Sequence, residues 1–239
     1  MGHGSGGLLR ETTAGWWITL SGALVVAVAS GIIASGGRVP AWERDVFEAV
    51  NGLPDRLEGL MWVFQLAGLL LVPLGVAAVA AAFRRWRLAL ALAALVPLKL
   101  IVEKLVVKQL VERERPAVSI CDGDTSCLEL RDAPVEGLSF VSGHAIIAWS
   151  VATVLWSTLP ARWRSVPVVI AALNAVARVY LGAHNPLDVI GGGAVGVALG
   201  ALVVIVAGLG RRTPDGTRAT AGRGNERTDP TAHQEVGRS

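Results

Sequence analysis

The chain has 239 residues, 52% hydrophobic and only 17% charged, with a formal net charge of +3 and a mean hydropathy of +0.52. A soluble domain of this size carries about 25% charged residues, so an ordinary water-soluble domain is excluded. The apolar residues fall in blocks of roughly 18 to 24, enough to cross a bilayer. These blocks are continuous rather than alternating, which excludes a membrane barrel and leaves helices. The expectation is an all-α, single-domain, polytopic membrane protein with six transmembrane helices.

In chain order, residues 1–14 form a polar, Gly-rich segment with Arg10 as the basic residue ahead of the first block. "MGHGS" has the form of a myristoylation signal and carries little weight. The first block, Trp16 to Ser35, is longer than the apolar core of a signal peptide, and is read as an uncleaved helix. The second spans Leu60 to Phe83, the third Leu88 to Leu110, the fourth Ala145 to Leu159, the fifth Val166 to Leu181 and the sixth Val189 to Leu209. Residues 15–210 make the membrane domain. Residues 211–239 are rich in Gly, Thr, Arg and Asp without apolar periodicity, as in a disordered tail.

Short loops dense in Lys and Arg stay in the cytoplasm. Arg84, Arg85 and Arg87 lie in the second loop, Arg162 and Arg164 in the fourth, and Arg211 and Arg212 after the last block. All three clusters fall on one side of a six-helix chain, which places both termini in the cytoplasm. Trp16, Trp17, Trp86 and Trp163 are expected at the inner interface, where amphipathic rings prefer to sit. Cys121 and Cys127, in "CDGDTSC", fall on the outer side. They are either a disulfide, which needs an oxidising compartment, or two free thiols, or part of a weak metal site with Asp122 and Asp124.

Three stretches on the outer side carry charge where a membrane helix should shed it. "KQLVERERP" holds Lys108 and Arg115, seven residues apart. If the third helix runs on past the membrane, both share a face and Pro116 stops the helix. "FVSGHA" places Ser142 as the N-cap of the fourth helix, Gly143 where a ligand can approach, and His144 in the first turn. A helix N-terminus favours anions. "ARVYLGAHNPLD" places Arg178 at the outer end of the fifth helix, then His184, with Asn185 and Pro186 as N-cap and first helical residue. Asp188, four residues after His184, is placed to bond one ring nitrogen and leave the other as a nucleophile. Each stretch alone reads as a snorkelling or capped helix end. Together they put three cations, two histidines, a serine and an aspartate on one membrane face, which suits phosphoryl transfer.

Lys108 to Pro116 matches K-x6-R-P, Ser142-Gly143-His144 the end of P-S-G-H, and Arg178 to Asp188 the R-x5-H-x3-D core of S-R-x5-H-x3-D. The chain therefore resembles the type 2 phosphatidic acid phosphatase (PAP2) superfamily over about residues 15 to 210. It departs at Val141, where the family usually has Pro, and at Ala177, where it usually has Ser. These bear on rate and substrate preference more than on reaction type. The resemblance implies a metal-independent lipid phosphatase with no cofactor. In it, His184 is the nucleophile and Asp188 orients it. His144 is the acid and then the base, and Lys108, Arg115, Ser142, Gly143 and Arg178 hold the phosphate. The implied partners are a lipid phosphate and the bilayer of the cell membrane, with no nucleic acid. A polyprenyl diphosphate is the favoured substrate, with phosphatidate or phosphatidylglycerophosphate the close alternative. Two other classes compete: a lipid-phosphate binding or transport protein, and a metal enzyme built on the histidines and aspartates. The oligomeric state is not encoded in these features.

Overall fold

The computed structural model describes residues 13–131 and 133–209. The polar N-terminal residues up to 12, with Arg10, and the tail from 210, with Arg211 and Arg212, lie outside the described residues. Ten α-helices are present among the described residues: α1 Thr13–Ala34, α2 Ala41–Asn51, α3 Glu58–Gln65, α4 Val72–Ala82, α5 Trp86–Leu100, α6 Lys108–Leu110, α7 Pro116–Ser119, α8 Gly143–Thr158, α9 Ser165–Tyr180 and α10 Pro186–Ala207. Among the described residues the only extended pairing is an isolated bridge between Glu114 and Leu138.

By length and composition, α1 and α10 can each cross a membrane, and the bent pair Asp55–Gly68 and Val72–Ala82 makes a third if it counts as one span. The second apolar block is thus broken rather than straight, with a 65° bend. Leu69 is extended there, and Pro73 opens α4 without an N–H to give back to the preceding turn. The third block is also irregular. α5 passes into a π-helix over Ile101–Val107 before α6 closes it.

The largest correction lies just after Leu110. The helix does not continue to Arg115. Val111 is extended and so is Arg115, which is the N-cap of α7. Pro116 opens a short helix instead of ending a long one. In extended chain, successive side chains alternate: Val111 and Arg113 are buried, Arg115 is half-buried, and Glu112 and Glu114 are exposed. "VERER" is a period-two pattern.

α10 is the centre of the bundle, with α1 and α8 packed along it and most of its residues buried. The reason lies in "GGGAVGVALG". A Cβ at Gly192 would fall 2.6 Å from the Ser142 carbonyl, at Gly196 2.5 Å from the Ile146 carbonyl, and at Gly200 2.6 Å from Thr153 Cβ. Glycines four apart make one flat stripe that lets α8 lie against α10 backbone to backbone. This contact sets the start of α8 beside the start of α10, where the Ser142 N–H donates to the Asp188 carbonyl at 3.0 Å.

α2 lies in what reads as a loop in the sequence. It buries Glu43, Phe47 and Asn51, at four-residue spacing, and exposes Trp42. Phe47 packs with Ile120, Cys121, Ala145, Val179 and Val189, tying the loop that holds Cys121 to α8, α9 and α10. Of the tryptophans, Trp17, Trp86 and Trp163 are exposed, whereas Trp16 is buried against the core of α5, α8 and α10.

Replacing Gly196 by Ala is expected to cost about 1–3 kcal/mol, the usual penalty for overpacking. The same change at Gly75, where a Cβ would meet nothing within 4 Å, is expected to be neutral or mildly stabilising. Unfolding of both variants by SDS titration in detergent checks this pair.

Candidate functional site

The three stretches meet at one end of the bundle. Ser142 caps α8, its Oγ accepting from the Ala145 N–H at 3.5 Å. The first-turn amides of Gly143 and His144 have no acceptor within the helix. His144 sits against the bend of α3–α4: a Cβ at Gly68 would fall 2.5 Å from His144 Cβ. Only a glycine there lets the histidine reach the site. His144 lies within electrostatic reach of Arg178, His184, Lys99 and Glu103.

His184 is in the turn between α9 and α10 and is 4% exposed. Burial, together with the Arg178 and Arg115 guanidiniums, pushes its pKa down to about 4 against the opposing pull of Asp188. The imidazole is therefore neutral at ordinary pH. Its Nδ1 lies 3.6 Å from Asp188 Oδ2, longer than a formed hydrogen bond, and has no other partner. The bond expected from the i, i+4 spacing is replaced by a looser contact because that oxygen is committed elsewhere. Asp188 Oδ2 accepts the Asn185 N–H at 2.8 Å, the acid half of a capping box at the start of α10. Asn185 Nδ2 in turn donates to Ser119 Oγ at 3.1 Å.

Asp188 Oδ1 accepts from Arg113 Nη1 at 3.2 Å, an arginine at one of the free positions of K-x6-R-P. Its guanidinium also donates to both oxygens of Glu43, at 3.0 and 2.7 Å. Glu43 Oε1 further accepts the Leu187 N–H at 2.8 Å. All three side chains are almost wholly buried. Arg115, two residues on, bonds backbone only: Nη1 to the Ala183 carbonyl at 2.7 Å and Nε to the Glu136 carbonyl at 3.1 Å. Burial lowers its proton affinity, opposed by Asp188 and Glu103.

Arg178, on α9, donates to Gln65 Oε1 and keeps a buried Nε without a partner. Gln65 is held in turn because Asn174 Nδ2, one turn before Arg178, donates to the carbonyls of Phe64 and Gln65 at 3.1 and 3.0 Å. Ala177 packs with Met61, Tyr180 and Leu181, so Arg178 takes its support from Gln65. Val141 packs with Phe140, Ile146 and Val195.

Lys108 does not point freely into the site. Its Nζ pairs with Glu103 Oε1 at 3.0 Å, and Glu103 Oε2 pairs with Lys99. Charges inside an apolar block are functional candidates, a signal that applies to Lys99 and Glu103 as much as to Lys108.

The loop between α7 and α8 is pinned on two sides. Cys121 and Cys127 are bonded to each other, with Cα atoms 5.9 Å apart. Arg131 stacks over Tyr180 at 4.1 Å and donates to the carbonyls of Asn51, Leu53 and Tyr180 and to Asp55. Asn51 closes the clamp through Glu129. An apolar groove of about 490 Å3 runs beside the site, lined by Ile18 and Val26 of α1, Trp149 of α8, Ala175 of α9, and Val189 and Val197 of α10.

Residues 68–211, more than half of the chain, match the family profile described as the PAP2 superfamily. The chain belongs to that superfamily and is a phosphatase of the PAP2 type. Two solved structures share its fold. Aquifex aeolicus LpxE is 23% identical with a TM-score of 0.58, covering 69% of this chain and 96% of its own. The first transmembrane PAP2 type phosphatidylglycerolphosphate phosphatase from Bacillus subtilis is 22% identical with a TM-score of 0.57, covering 81% and 94%. No curated protein sequence matches the chain.

The two arginines of "RERP" are expected to part company on substitution. Arg113→Ala strands two buried carboxylates, a loss of about 3–5 kcal/mol. Arg115→Ala removes only contacts to backbone carbonyls, so its melting temperature in detergent stays within a few degrees while phosphatase turnover falls. Melting curves and turnover of the two variants side by side check the division.

Proposed function

We propose that the chain hydrolyses the phosphate ester or diphosphate of a membrane lipid at the outer face of the cell membrane, through a phosphohistidine on His184. The observation that supports this most is the meeting of the three stretches around a buried His184, with Asp188 3.6 Å from its Nδ1 and Arg115 bonded to the carbonyl of the preceding Ala183. In this reading His184 Nε2 attacks phosphorus. The bond from that phosphorus to the leaving oxygen breaks, the lipid oxygen of a monoester or the bridging oxygen of a diphosphate, and His144 gives that oxygen its proton. Water then attacks the phosphohistidine, His144 takes the water's proton, and inorganic phosphate leaves. Asp188 steadies the positive charge that builds on the attacking imidazole. Lys108, Arg115, Arg178, Ser142 and the Gly143 N–H hold the phosphoryl oxygens. Such preset donors are commonly the largest part of catalysis. The scheme draws on side chains and backbone amides alone, so it runs with a chelator present.

The substrate favoured is a polyprenyl diphosphate, with its tail taken by the apolar groove that Val189 lines. Phosphatidylglycerophosphate is the second reading, because it is the substrate class named for the Bacillus subtilis structure. In the membrane the bundle makes six crossings with the bent pair as one, both termini are cytoplasmic, and the loop holding Cys121 and Cys127 faces outward.

Phosphate release from farnesyl diphosphate, phosphatidate and phosphatidylglycerophosphate, measured in detergent with EDTA, tests the reaction. Turnover with EDTA present is expected; silence on every lipid would remove the proposal. His184→Ala is expected to abolish both turnover and any phospho-enzyme. His144→Ala should lose more activity on phosphatidate, whose alkoxide needs the proton, than on para-nitrophenyl phosphate. It should also trap acid-labile phosphate on residue 184. Label on residue 144 would reverse the roles.

Orientation has its own check. Gly123→Cys in a variant lacking Cys121 and Cys127 is expected to react with an impermeant maleimide in intact cells. Labelling only after lysis would invert the topology.

A further inference from the structure

Nine residues of regular α-helix turn the chain through about 900°, so Lys99 and Lys108 would stand on opposite sides of it. The π-helix over Ile101–Val107 removes that offset. Lys99, Glu103 and Lys108 succeed one another at four and five residues, and both ammonium groups close on the one carboxylate. Glu103 is 5% exposed. A Cβ at Gly143 would lie 2.8 Å from both of its oxygens and 2.9 Å from Lys99 Nζ. The carboxylate thus sits against the first turn of α8, where the helix N-terminus favours an anion. π segments within helices are frequent at functional sites.

The cations therefore form two stations. Arg115, bonded to the Ala183 carbonyl, and Arg178 are within electrostatic reach of His184. Lys99 lies against Gly143, and Lys108 joins it through Glu103, which pairs with both. His144 is within reach of both, through Arg178 on one side and Lys99 and Glu103 on the other.

We propose that Lys99 is a further phosphate-binding residue and Glu103 its resident counter-anion, so that the lysine pair takes the second phosphate of a diphosphate headgroup when Glu103 yields its place. The inference rests on the phosphatase reading above and narrows its substrate to diphosphates. The reacting phosphoryl group lies between the arginines and is reached by Lys108 as well. The leaving phosphate lies on Lys99 and shares Lys108, with His144 between the two phosphates to protonate the bridging oxygen. Four cations and one carboxylate leave a positive charge opposite in sign to that of an ionised diphosphate ester and similar in size. A monophosphate draws on the arginines and Lys108 and gives Glu103 no reason to leave Lys99.

The test is calorimetric binding of pyrophosphate and orthophosphate to the detergent-solubilised full chain carrying His184→Ala, which reads binding without turnover. Adding Glu103→Gln is expected to tighten pyrophosphate about tenfold, the scale of one charge-assisted interaction regained, and orthophosphate by much less. The further change Lys99→Met should cancel the pyrophosphate gain. Unchanged or weaker pyrophosphate binding in Glu103→Gln overturns the proposal. Equal tightening of both anions, or a gain that survives Lys99→Met, overturns it as well. A Glu103→Gln protein that does not fold makes Glu103 a structural counter-ion and has the same effect. Wild-type turnover of lipid phosphates alongside any of these results would sink this inference alone, whereas absence of that turnover would sink the reading beneath it.

Discussion

The buried guanidinium of Arg113 is the contact on which the site depends. It joins Glu43 of α2 to Asp188 of α10 and holds α2 against the start of α10, where Glu43 also takes the Leu187 N–H. Two carboxylates against one guanidinium leave a surplus negative charge, and that charge lies next to His184. Taking three ions out of water is costly unless every lone pair and proton is used, and here nearly all are. Asp188 is consequently a fixed anion rather than a mobile hydrogen-bond acceptor. It acts on His184 across 3.6 Å by its field and its position.

The rest of the site is assembled by close approach of backbones. The glycine stripe of α10 lets α8 lie flat, so Ser142 meets Asp188. Gly68 at the bend of the second apolar block does the same for His144. Asn174 fixes Gln65, and Gln65 fixes Arg178. Ser142, His144 and Arg178 each have a neighbour from another helix that sets its position, as preorganised charge requires. The loop between α7 and α8, with its disulfide and the Arg131 clamp, lies at the same end of the bundle.

Much of this was legible from the sequence because its signals are local. Continuous apolar blocks, the cap at Ser142, and the Asn185-Pro186 start of α10 each depend on a few neighbouring residues. What escaped depended on partners far along the chain. Glu43 lies in a stretch that reads as a loop, and only its contact with Arg113, 70 residues away, gives it a role. "VERER" has two readings: helical spacing joins Lys108 to Arg115, while strand-like alternation puts Arg113 and Arg115 on one side and the glutamates on the other. The second holds, because the chain is extended there. The π segment left no composition signal, although Lys99 and Glu103 inside an apolar block were a visible anomaly. The glycine stripe could have been found from its four-residue spacing.

The π turn also makes this helix sensitive to counting. A π segment differs from α-helix by carrying more residues per turn for the same axial advance. Removing one residue between Glu103 and Lys108 would return the segment to ordinary α pitch and leave Lys99, Glu103 and Lys108 at i, i+4 and i+8, still on one face. Adding one residue would instead turn Lys108, with everything after it, by about 100° away from Lys99. Arg113 and Arg115 lie only a few residues further on, in extended chain. One added residue would therefore misalign both the lysine pair and the guanidinium that anchors Asp188, whereas one fewer would spare them.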